Sequence, residues 1–237
     1  MAQIATVLVI DGGGRGAVLV DKYLQSPHVA QVLAIPGNDL MLQGQKRVRI
    51  FPEYKTTDQG IIKKICQKYK VDLIDVAQDD AVATGVTDTL AQKGFDVFGP
   101  SKLAGQIEWD KAWARNFMKK NKIPAPAFKI CTSAQQGIKF IRSQKEKEWF
   151  IKASGLAAGK GALYAASNEE AIENIHQMKN FGSAGQTYLI EECLKGEEFS
   201  SFAIVSGADF ILAGHAQDHK TVYDGDHGPN TGGMGCS

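Results

Sequence analysis

The chain has 237 residues, 43% hydrophobic and 22% charged, which is enough for one large domain or two smaller ones. Its 27 Lys and Arg against 26 Asp and Glu leave a net charge of +1, which argues against a broadly basic surface for nucleic acid or membranes. No apolar run reaches the roughly 20 residues of a membrane span, and the start, MAQIATVLVIDGGG, lacks the features of a secretory signal. The four cysteines lie far apart without a CxxC pair, which is typical of reduced thiols. We therefore expect a cytoplasmic α/β protein.

Strand-like and helix-like segments alternate along the first hundred residues, which predicts a parallel sheet built from βαβ units. The apolar run at 5–10 predicts a strand buried on both faces, and a helix follows the glycines at 12–14. Further strands are predicted at 31–35, 71–76 and 95–98, and further helices at 60–69 and 84–93. Gly99-Pro100-Ser101 is the clearest internal boundary, so we predict an N-terminal Rossmann-like domain at 1–102 that binds substrate.

The rest of the chain has a different pattern of predicted elements. A helix is predicted at 101–121, followed by two prolines and a mixture of strands and helices. The strands are predicted at 128–131, 149–153, 162–166, 188–194 and 199–205, and the helices at 133–147 and 168–178. Residues 103–237 are therefore predicted to form a second domain, of α+β type.

The first glycine turn, residues 12–17, joins a predicted strand to a predicted helix. Glycines let backbone N–H groups approach a phosphate, the helix N-terminus adds positive charge, and Arg15 can add a bidentate contact. The spacing also fits the G-x-G-x-x-A dinucleotide fingerprint, but the second strand ends in Pro36-Gly37-Asn38 where that fingerprint needs an acidic residue. The turn favours a phosphate-bearing substrate, with a dinucleotide and a purely structural turn as alternatives.

The second glycine segment, WFIKASGLAAGKGA at 149–162, places Lys152 inside a predicted strand. A lysine in apolar surroundings needs an anionic partner or loses its charge. The loop that follows is small enough to fold over phosphates, but it is not a Walker A loop because three residues separate Gly155 from Gly159, and Gly161 follows Lys160. A flexible hairpin with a solvated lysine is the alternative.

A strand end at 191–198 supports the same idea. Backbone there can bond an adenine edge, and Glu198, seven residues after Glu191, can hold ribose hydroxyls. Solvated carboxylates are the simpler interpretation. His215 and His219 lie four residues apart near Asp218, which leaves substrate contacts, structural hydrogen bonds or a metal site open.

Four strings in the second half of the chain are distinctive: KASGLAAGKG at 152–161, LIEECLKGEEFS at 189–200, AQDHK at 216–220 and DGDHGPNTGGMG at 224–235. They resemble the glycinamide ribonucleotide synthetases (phosphoribosylamine–glycine ligases) of the ATP-grasp superfamily. Weaker matches at 12–15, 36–38, 98–101 and 106–118 extend the resemblance over the whole chain. It implies a Rossmann-like pre-ATP-grasp domain followed by an incomplete ATP-grasp domain at 103–237, with a lid subdomain at about 125–190.

The family joins glycine to 5-phosphoribosylamine with ATP in purine biosynthesis, through a glycyl acyl phosphate, and releases ADP and phosphate. The resemblance implies nucleotide contacts from Lys111, Lys152, Gly155, Gly159, Lys160, Gly161, Glu191, Glu192, Leu194 and Glu198. It implies that Lys152, Asp218, His219, Lys220, Asn230, Thr231 and Gly232 act in catalysis, and that Gly13, Gly14, Arg15 and Asn38 bind substrate.

The sequence departs from the family pattern where phosphoribosylamine is expected to bind. Gly16-Ala17 stand where the family usually has Glu-His, 77–80 read AQDD where it usually has Gly-Pro-Glu, and Thr221 replaces a common arginine. These changes suggest a divergent member and leave open a related amine acceptor. Ligands for Mg²⁺ (or Mn²⁺) are expected beyond Ser237, so we expect this chain to be inactive by itself.

Two other functions compete with the ligase. An NAD-dependent dehydrogenase would use the first glycine turn but leaves the second glycine segment unexplained. A non-catalytic module that binds ATP or a phosphosugar would use one or both loops. Neither alternative involves nucleic acid or a membrane.

Overall fold

The computed structural model describes residues 4–44, 46–157, 159–225, 227–231 and 233–237. The chain divides into two compact units, Met1–Trp109 and Asp110–Ser237. The expected boundary at 102 lies seven residues earlier. The difference arises because the helix Lys102–Trp109 packs against the helix Asp79–Thr84 of the first unit.

The first unit is a parallel α/β layer structure. Its elements are β1 (Ala5–Asp11), α1 (Gly14–Leu24), β2 (Val29–Pro36), β3 (Val48–Ile50), α2 (Gln59–Tyr69), β4 (Leu73–Val76), α3 (Asp79–Thr84), α4 (Val86–Ala91), β5 (Val97–Phe98) and α5 (Lys102–Trp109). The five strands form one sheet in the order β3-β2-β1-β4-β5, with every pair parallel. The predicted Rossmann-like arrangement is confirmed.

The sheet is buried on both faces, as the continuous apolar run of β1 predicted. Leu8 and Ile10 pack into one core cluster and Val7 and Val9 into another on the opposite face. Parallel strands covered by helices need no polar alternation, which explains the apolar run. The helix predicted at 84–93 is confirmed as α4, whereas α3, which was not predicted, precedes it and is separated from it by Gly85, with φ +82°.

The second unit begins with a helix and a four-stranded antiparallel sheet. Its elements are α6 (Lys111–Lys120), β6 (Phe128–Cys131), α7 (Ala134–Arg142), β7 (Trp149–Ala153), β8 (Ala162–Ala165), α8 (Asn168–Gln177) and β9 (Tyr188–Glu192). The strand order is β6-β9-β7-β8. One face of β7, with Trp149, Ile151 and Ala153, packs into a core cluster with residues of α7 and α8. The helix predicted at 101–121 is two helices, because Asp110 accepts the N–H of Trp113 and starts α6 as its N-cap.

Two short antiparallel pairs complete the described part of the second unit. β10 (Ser200–Ser206) pairs with β11 (Asp209–Ala216), and β12 (Thr221–Tyr223) pairs with β13 (His227–Asn230). The sequence analysis predicted β10 but not β11, β12 or β13. Large apolar side chains of the β10–β11 hairpin are exposed, among them Phe202, Ile204 and Ile211. Among the described residues, every helix is too short or too polar to cross a membrane.

Candidate functional site

The first glycine turn follows β1 and is organised by the buried carboxylate of Asp11. Asp11 Oδ1 accepts the Gly13 N–H at 2.5 Å, and its Oδ2 accepts Arg15 Nε at 3.3 Å. Arg15 Nη2 lies 3.8 Å from Asp79 Oδ1 and 3.4 Å from Gln78 Oε1. The guanidinium expected to bind phosphate is therefore flanked by two carboxylates.

Close packing against Asp11 explains the glycine at position 16, and the sequence alone did not predict this contact. A Cβ at this position would lie 2.8 Å from Asp11 Cβ and 2.9 Å from Asp11 Oδ1, well inside normal contact distances. A side chain larger than hydrogen at position 16 is thus incompatible with Asp11 in its present place. Gly16, one of the two residues that depart from Glu-His, therefore packs directly against the aspartate at the end of β1.

Asn38 braces the same turn. Its Nδ2 donates to the carbonyl oxygens of Gly12 and Gly13, both at 3.1 Å, and its Oδ1 accepts the Leu40 N–H at 3.0 Å. Gly13 caps the N-terminus of α1, and a Cβ at Gly14 would meet no atom within 4 Å. The expected substrate-binding residues Gly13, Gly14 and Asn38 therefore lie together at this turn.

A second buried carboxylate, missed by the sequence analysis, lies on the α1 side of the sheet. Asp75 of β4 is 4% exposed, and its Oδ2 accepts the Tyr23 hydroxyl at 2.8 Å. Burial raises the pKa of Asp75, the charge of Asp11 adds to the rise, and Tyr23 and Arg15 offset part of it. Its signal in the sequence was a single acidic residue within an apolar strand.

The second unit holds a cluster of three charged side chains around Glu191, which is 1% exposed. Arg115 binds this carboxylate twice, with Nε 2.5 Å from Oε1 and Nη2 3.2 Å from Oε2. Lys152 Nζ lies 2.7 Å from Oε2. Burial alone would raise the pKa of Glu191, but the hydrogen bond from Arg115 and the charge of Lys152 outweigh it and hold the pKa below its usual value. The anionic partner that Lys152 required is thus Glu191.

The glycine segment leaves β7 next to the start of α6. Ser154 Oγ donates to Asp110 Oδ1 and accepts the Ala112 N–H, each at 2.8 Å. The Lys111 N–H donates to the Ser154 carbonyl oxygen at 2.9 Å. These bonds place the backbone of Lys111 directly beside the segment that carries Lys152.

The loop from Gly155 to Gly161 contains close approaches that only glycine allows. A Cβ at Gly155 would lie 2.9 Å from the Cα of Ala184, and one at Gly161 would lie 2.7 Å from the Cβ of Ala157. Gly159 has φ +76°, and Lys160 is exposed. The loop presents Lys160 to solvent at its tip.

The strand end after β9 is only partly available to a ligand. The Glu192 N–H donates to the Ala127 carbonyl oxygen at 3.0 Å, and Glu192 Oε1 accepts the Ala127 N–H at 2.7 Å. Leu194, which the resemblance pairs with Glu192 at the adenine, is 64% exposed. The backbone N–H of Glu192 is occupied within the protein.

The segment with Asp218, His219 and Lys220 pairs with the last residues of the chain. The His219 N–H donates to the Gly235 carbonyl oxygen at 3.0 Å, and Thr231 Oγ1 donates to the Lys220 carbonyl oxygen at 2.9 Å. Lys220 Nζ forms an ion pair with Glu198 and lies 3.9 Å from Asp218 Oδ2. The side chain of Asn230 and the whole of Gly232, both expected to act in catalysis, lie outside the described residues.

Metal binding has limited support in the described part of the chain. No group of three His, Cys, Asp or Glu side chains there is arranged to hold a metal ion. His215 Nδ1 instead lies 2.7 Å from Ser201 Oγ, and its ring meets Phe199 edge to face. These are structural contacts for His215.

Solved structures share this two-unit fold. A phosphoribosylamine–glycine ligase from Thermotoga maritima matches with a TM-score of 0.74 at 28% identity, covering 98% of this chain and 55% of that one. A biotin carboxylase from Campylobacter jejuni matches at 13% identity with a TM-score of 0.69, covering 93% of this chain and 52% of that one, and shows likeness of fold alone. The fold is that of an ATP-grasp protein with its preceding α/β domain.

Family models define the class more narrowly. The N domain of phosphoribosylglycinamide synthetase matches residues 5–108, and the ATP-grasp (A) domain of the same family matches residues 109–237. The chain belongs to the phosphoribosylglycinamide synthetase family, as the sequence strings indicated. This assignment leaves the dehydrogenase alternative without support.

Curated relatives agree with the family assignment. The phosphoribosylamine–glycine ligase of Streptococcus suis is 40% identical over 234 residues, which are 97% of this chain and 54% of that protein. The human trifunctional purine biosynthetic protein adenosine-3 is 39% identical over 235 residues, 98% of this chain and 23% of that protein. The chain spans about half the length of the single-function ligases that it matches.

Proposed function

We propose that this chain contributes the substrate-binding domain and part of the ATP-grasp domain of a phosphoribosylamine–glycine ligase. The reaction joins glycine to 5-phosphoribosylamine, gives glycinamide ribonucleotide, and converts ATP to ADP and phosphate in purine biosynthesis. Family membership supports the reaction class, and relatives with this name support the substrates. A cytoplasmic location fits the reaction.

The observation that carries the nucleotide half of the proposal is the cluster of Arg115 and Lys152 around the buried carboxylate of Glu191. Two cations face one carboxylate, so the cluster carries a surplus positive charge beside the glycine loop. A triphosphate is an anion suited to such a surplus. Under the proposal Lys152 and Lys111 contact ATP phosphates, and the loop at 155–161 with Lys160 covers them as a lid.

The remaining nucleotide contacts follow from the strand end after β9. We assign the adenine edge to the exposed backbone around Leu194 and the ribose hydroxyls to Glu198. Because Glu198 pairs with Lys220 in the structure, ribose binding requires that this ion pair share or release its carboxylate. Both side chains reach solvent, so this exchange costs little.

The chemistry needs positioning and charge neutralisation more than covalent catalysis. The glycine carboxylate attacks the γ-phosphorus of ATP and forms an acyl phosphate with release of ADP. The amine nitrogen of phosphoribosylamine then attacks the acyl carbon, and phosphate leaves. In this scheme Asp218, His219 and Lys220, with Asn230, Thr231 and Gly232, face the reacting groups.

We propose ATP with Mg²⁺ (or Mn²⁺) as the cofactor pair. The described residues do not offer the cluster of oxygen ligands that such an ion requires. No step is therefore assigned to a metal on the residues of this chain.

A related amine acceptor is a second candidate because of the first glycine turn. Arg15 is shared between Asp11 and Asp79, so its charge is balanced before any phosphate arrives. An acceptor with a cationic amine would gain a favourable charge interaction with Asp79, whereas its phosphate must compete with the two carboxylates for Arg15. Calorimetric titration of the chain with phosphoribosylamine and with amines that lack the phosphate distinguishes the two.

Calorimetric titration tests the nucleotide half directly. We expect the chain to bind ATP and not NAD, and Lys152→Met to weaken ATP binding at least about tenfold, as loss of a charge-assisted contact does. Lys179→Met, at an exposed position of the same unit, is the matched control and should bind ATP as the unsubstituted chain does. Binding of NAD but not ATP would refute the proposal. So would equal ATP affinity in the Lys152 and Lys179 variants.

A further inference from the structure

In the charged cluster of the second unit, the geometry shows different roles for the two cations, Arg115 and Lys152. Glu191 and Lys152 lie on one face of the β7–β9 pair, because Phe150 pairs with Glu191 and Lys152 follows two residues later. Arg115 reaches the same carboxylate from α6. The opposite face of β7 is apolar and packs into a core cluster, so the charged side chains lie on the face away from that core.

The two cations use Glu191 differently. Arg115 makes the bidentate contact: Nε and Nη2 hold the carboxylate, and Nη1 lies 3.4 Å from Met118 Sδ. Lys152 makes one ion pair to Oε2, and its side chain remains 24% exposed. An ammonium has three donors, so Lys152 keeps donors for a ligand, whereas Arg115 is held by two bonds to the one carboxylate.

We propose that Arg115 is a positioning residue that neutralises Glu191, so that the charge of Lys152 stays available for the phosphates of a nucleotide. This inference rests on the proposed binding of ATP. Without Arg115, the single negative charge of Glu191 would be matched by Lys152 alone, and the cluster would have no surplus. With Arg115 present, an incoming anion meets a net charge of +1.

The charge count predicts a pattern across variants that simple structural damage would not produce. Arg115→Met lowers the net charge of the cluster to zero, whereas Arg115→Lys keeps it at +1. The double variant Arg115→Met with Glu191→Gln also returns it to +1, since the ammonium of Lys152 is then the only charge. Because this double variant leaves no unpaired buried carboxylate, it also provides a well-folded test if the single Met variant unfolds.

The experiment is calorimetric titration of the full chain and its variants with ATP and, separately, with adenosine. In Arg115→Met the charge of Lys152 is taken up by Glu191, and loss of its charge-assisted contact with the phosphates predicts ATP binding about 10–100-fold weaker. Adenosine has no phosphate, so its affinity should change less than about twofold in that variant. Arg115→Lys and the double variant should recover most of the ATP affinity.

The outcomes distinguish failure of the proposed role of Arg115 from failure of the proposed ATP binding. If Arg115→Met weakens ATP and adenosine equally, or weakens neither, the charge role of Arg115 is wrong and ATP binding stands. Failure of both Arg115→Lys and the double variant to recover ATP binding would also overturn it. If the unsubstituted chain binds no ATP, the proposed function and this inference fall together.

Discussion

A methyl group at position 16 tests how closely α1 approaches the end of β1. In Gly16→Ala the new Cβ would lie 2.8 Å from Asp11 Cβ and 2.9 Å from Oδ1. Asp11 cannot move away freely, because its carboxylate holds the Gly13 N–H and Arg15. Overpacking of this kind costs about 1–3 kcal/mol, against a gain of up to about 1 kcal/mol from helix propensity. We expect a net loss of about 1–2 kcal/mol.

Native-state hydrogen exchange of the β1 amides measures this loss within the first unit, without assuming that the two units unfold together. Gly14→Ala is the matched control in the same helix. A Cβ at Gly14 would meet no atom within 4 Å, so this variant should be neutral or slightly stabilising.

A double-mutant cycle shows whether Asp11 is the cause. In an Asp11→Gly background the clash disappears, so Gly16→Ala should be neutral or stabilising by up to about 1 kcal/mol there, and the coupling free energy should be about 1–3 kcal/mol. If Gly16→Ala is as stable as Gly14→Ala, or if its cost is the same with and without Asp11, the packing argument is wrong.

Three further substitutions test separate features of the second unit. Glu191→Gln leaves two partly buried cations without their anion and should destabilise the unit by about 2–4 kcal/mol, measured by urea unfolding. Because the pKa of Glu191 is lowered in the folded state, this difference in the free energy of unfolding should be complete above the ordinary pKa of 4.5. It should shrink as the pH falls through the pKa of the folded state. A difference that does not change with pH would contradict this. Ser154→Ala removes the bonds to Asp110 and Ala112 and should cost about 1–3 kcal/mol in the same unfolding assay; no loss would show that these bonds add nothing. Ile211→Lys, at a side chain that is 73% exposed, should leave stability unchanged and lower the fluorescence of a bound hydrophobic dye; unchanged fluorescence would mean that the hairpin is not the exposed apolar surface.

Strands with a strong local signal were predictable and those without one were not. β1 is an uninterrupted apolar run because both faces are covered, so its sequence reveals it. β3 has only three residues, which is too short to show the pattern of a buried or half-buried strand. The helix break at Gly85 depends on a left-handed conformation, which a glycine permits but does not require.

In the candidate site, features that depend on neighbouring residues were predictable from the sequence, whereas contacts between residues distant in the chain were not. The need of Lys152 for an anionic partner followed from its place in an apolar strand, and the structure supplies Glu191. The role of Arg115 did not follow, because it lies 76 residues from Glu191 in the chain and only the packing of α6 on β9 joins them. The close contact between Gly16 and Asp11 could not be predicted either. The two residues are five positions apart in the chain, but their contact depends on how the start of α1 packs against the end of β1.

The two glycine loops leave opposite charge balances for a ligand, and this contrast bears on what each can bind. At the first turn Arg15 faces Asp11 and Asp79, so one cation meets two carboxylates. At the second, Arg115 and Lys152 meet the single carboxylate of Glu191. A triphosphate gains from the second balance, whereas a purely anionic ligand at the first must compete with carboxylates for Arg15. The two turns therefore differ in the net charge that they offer to an anion.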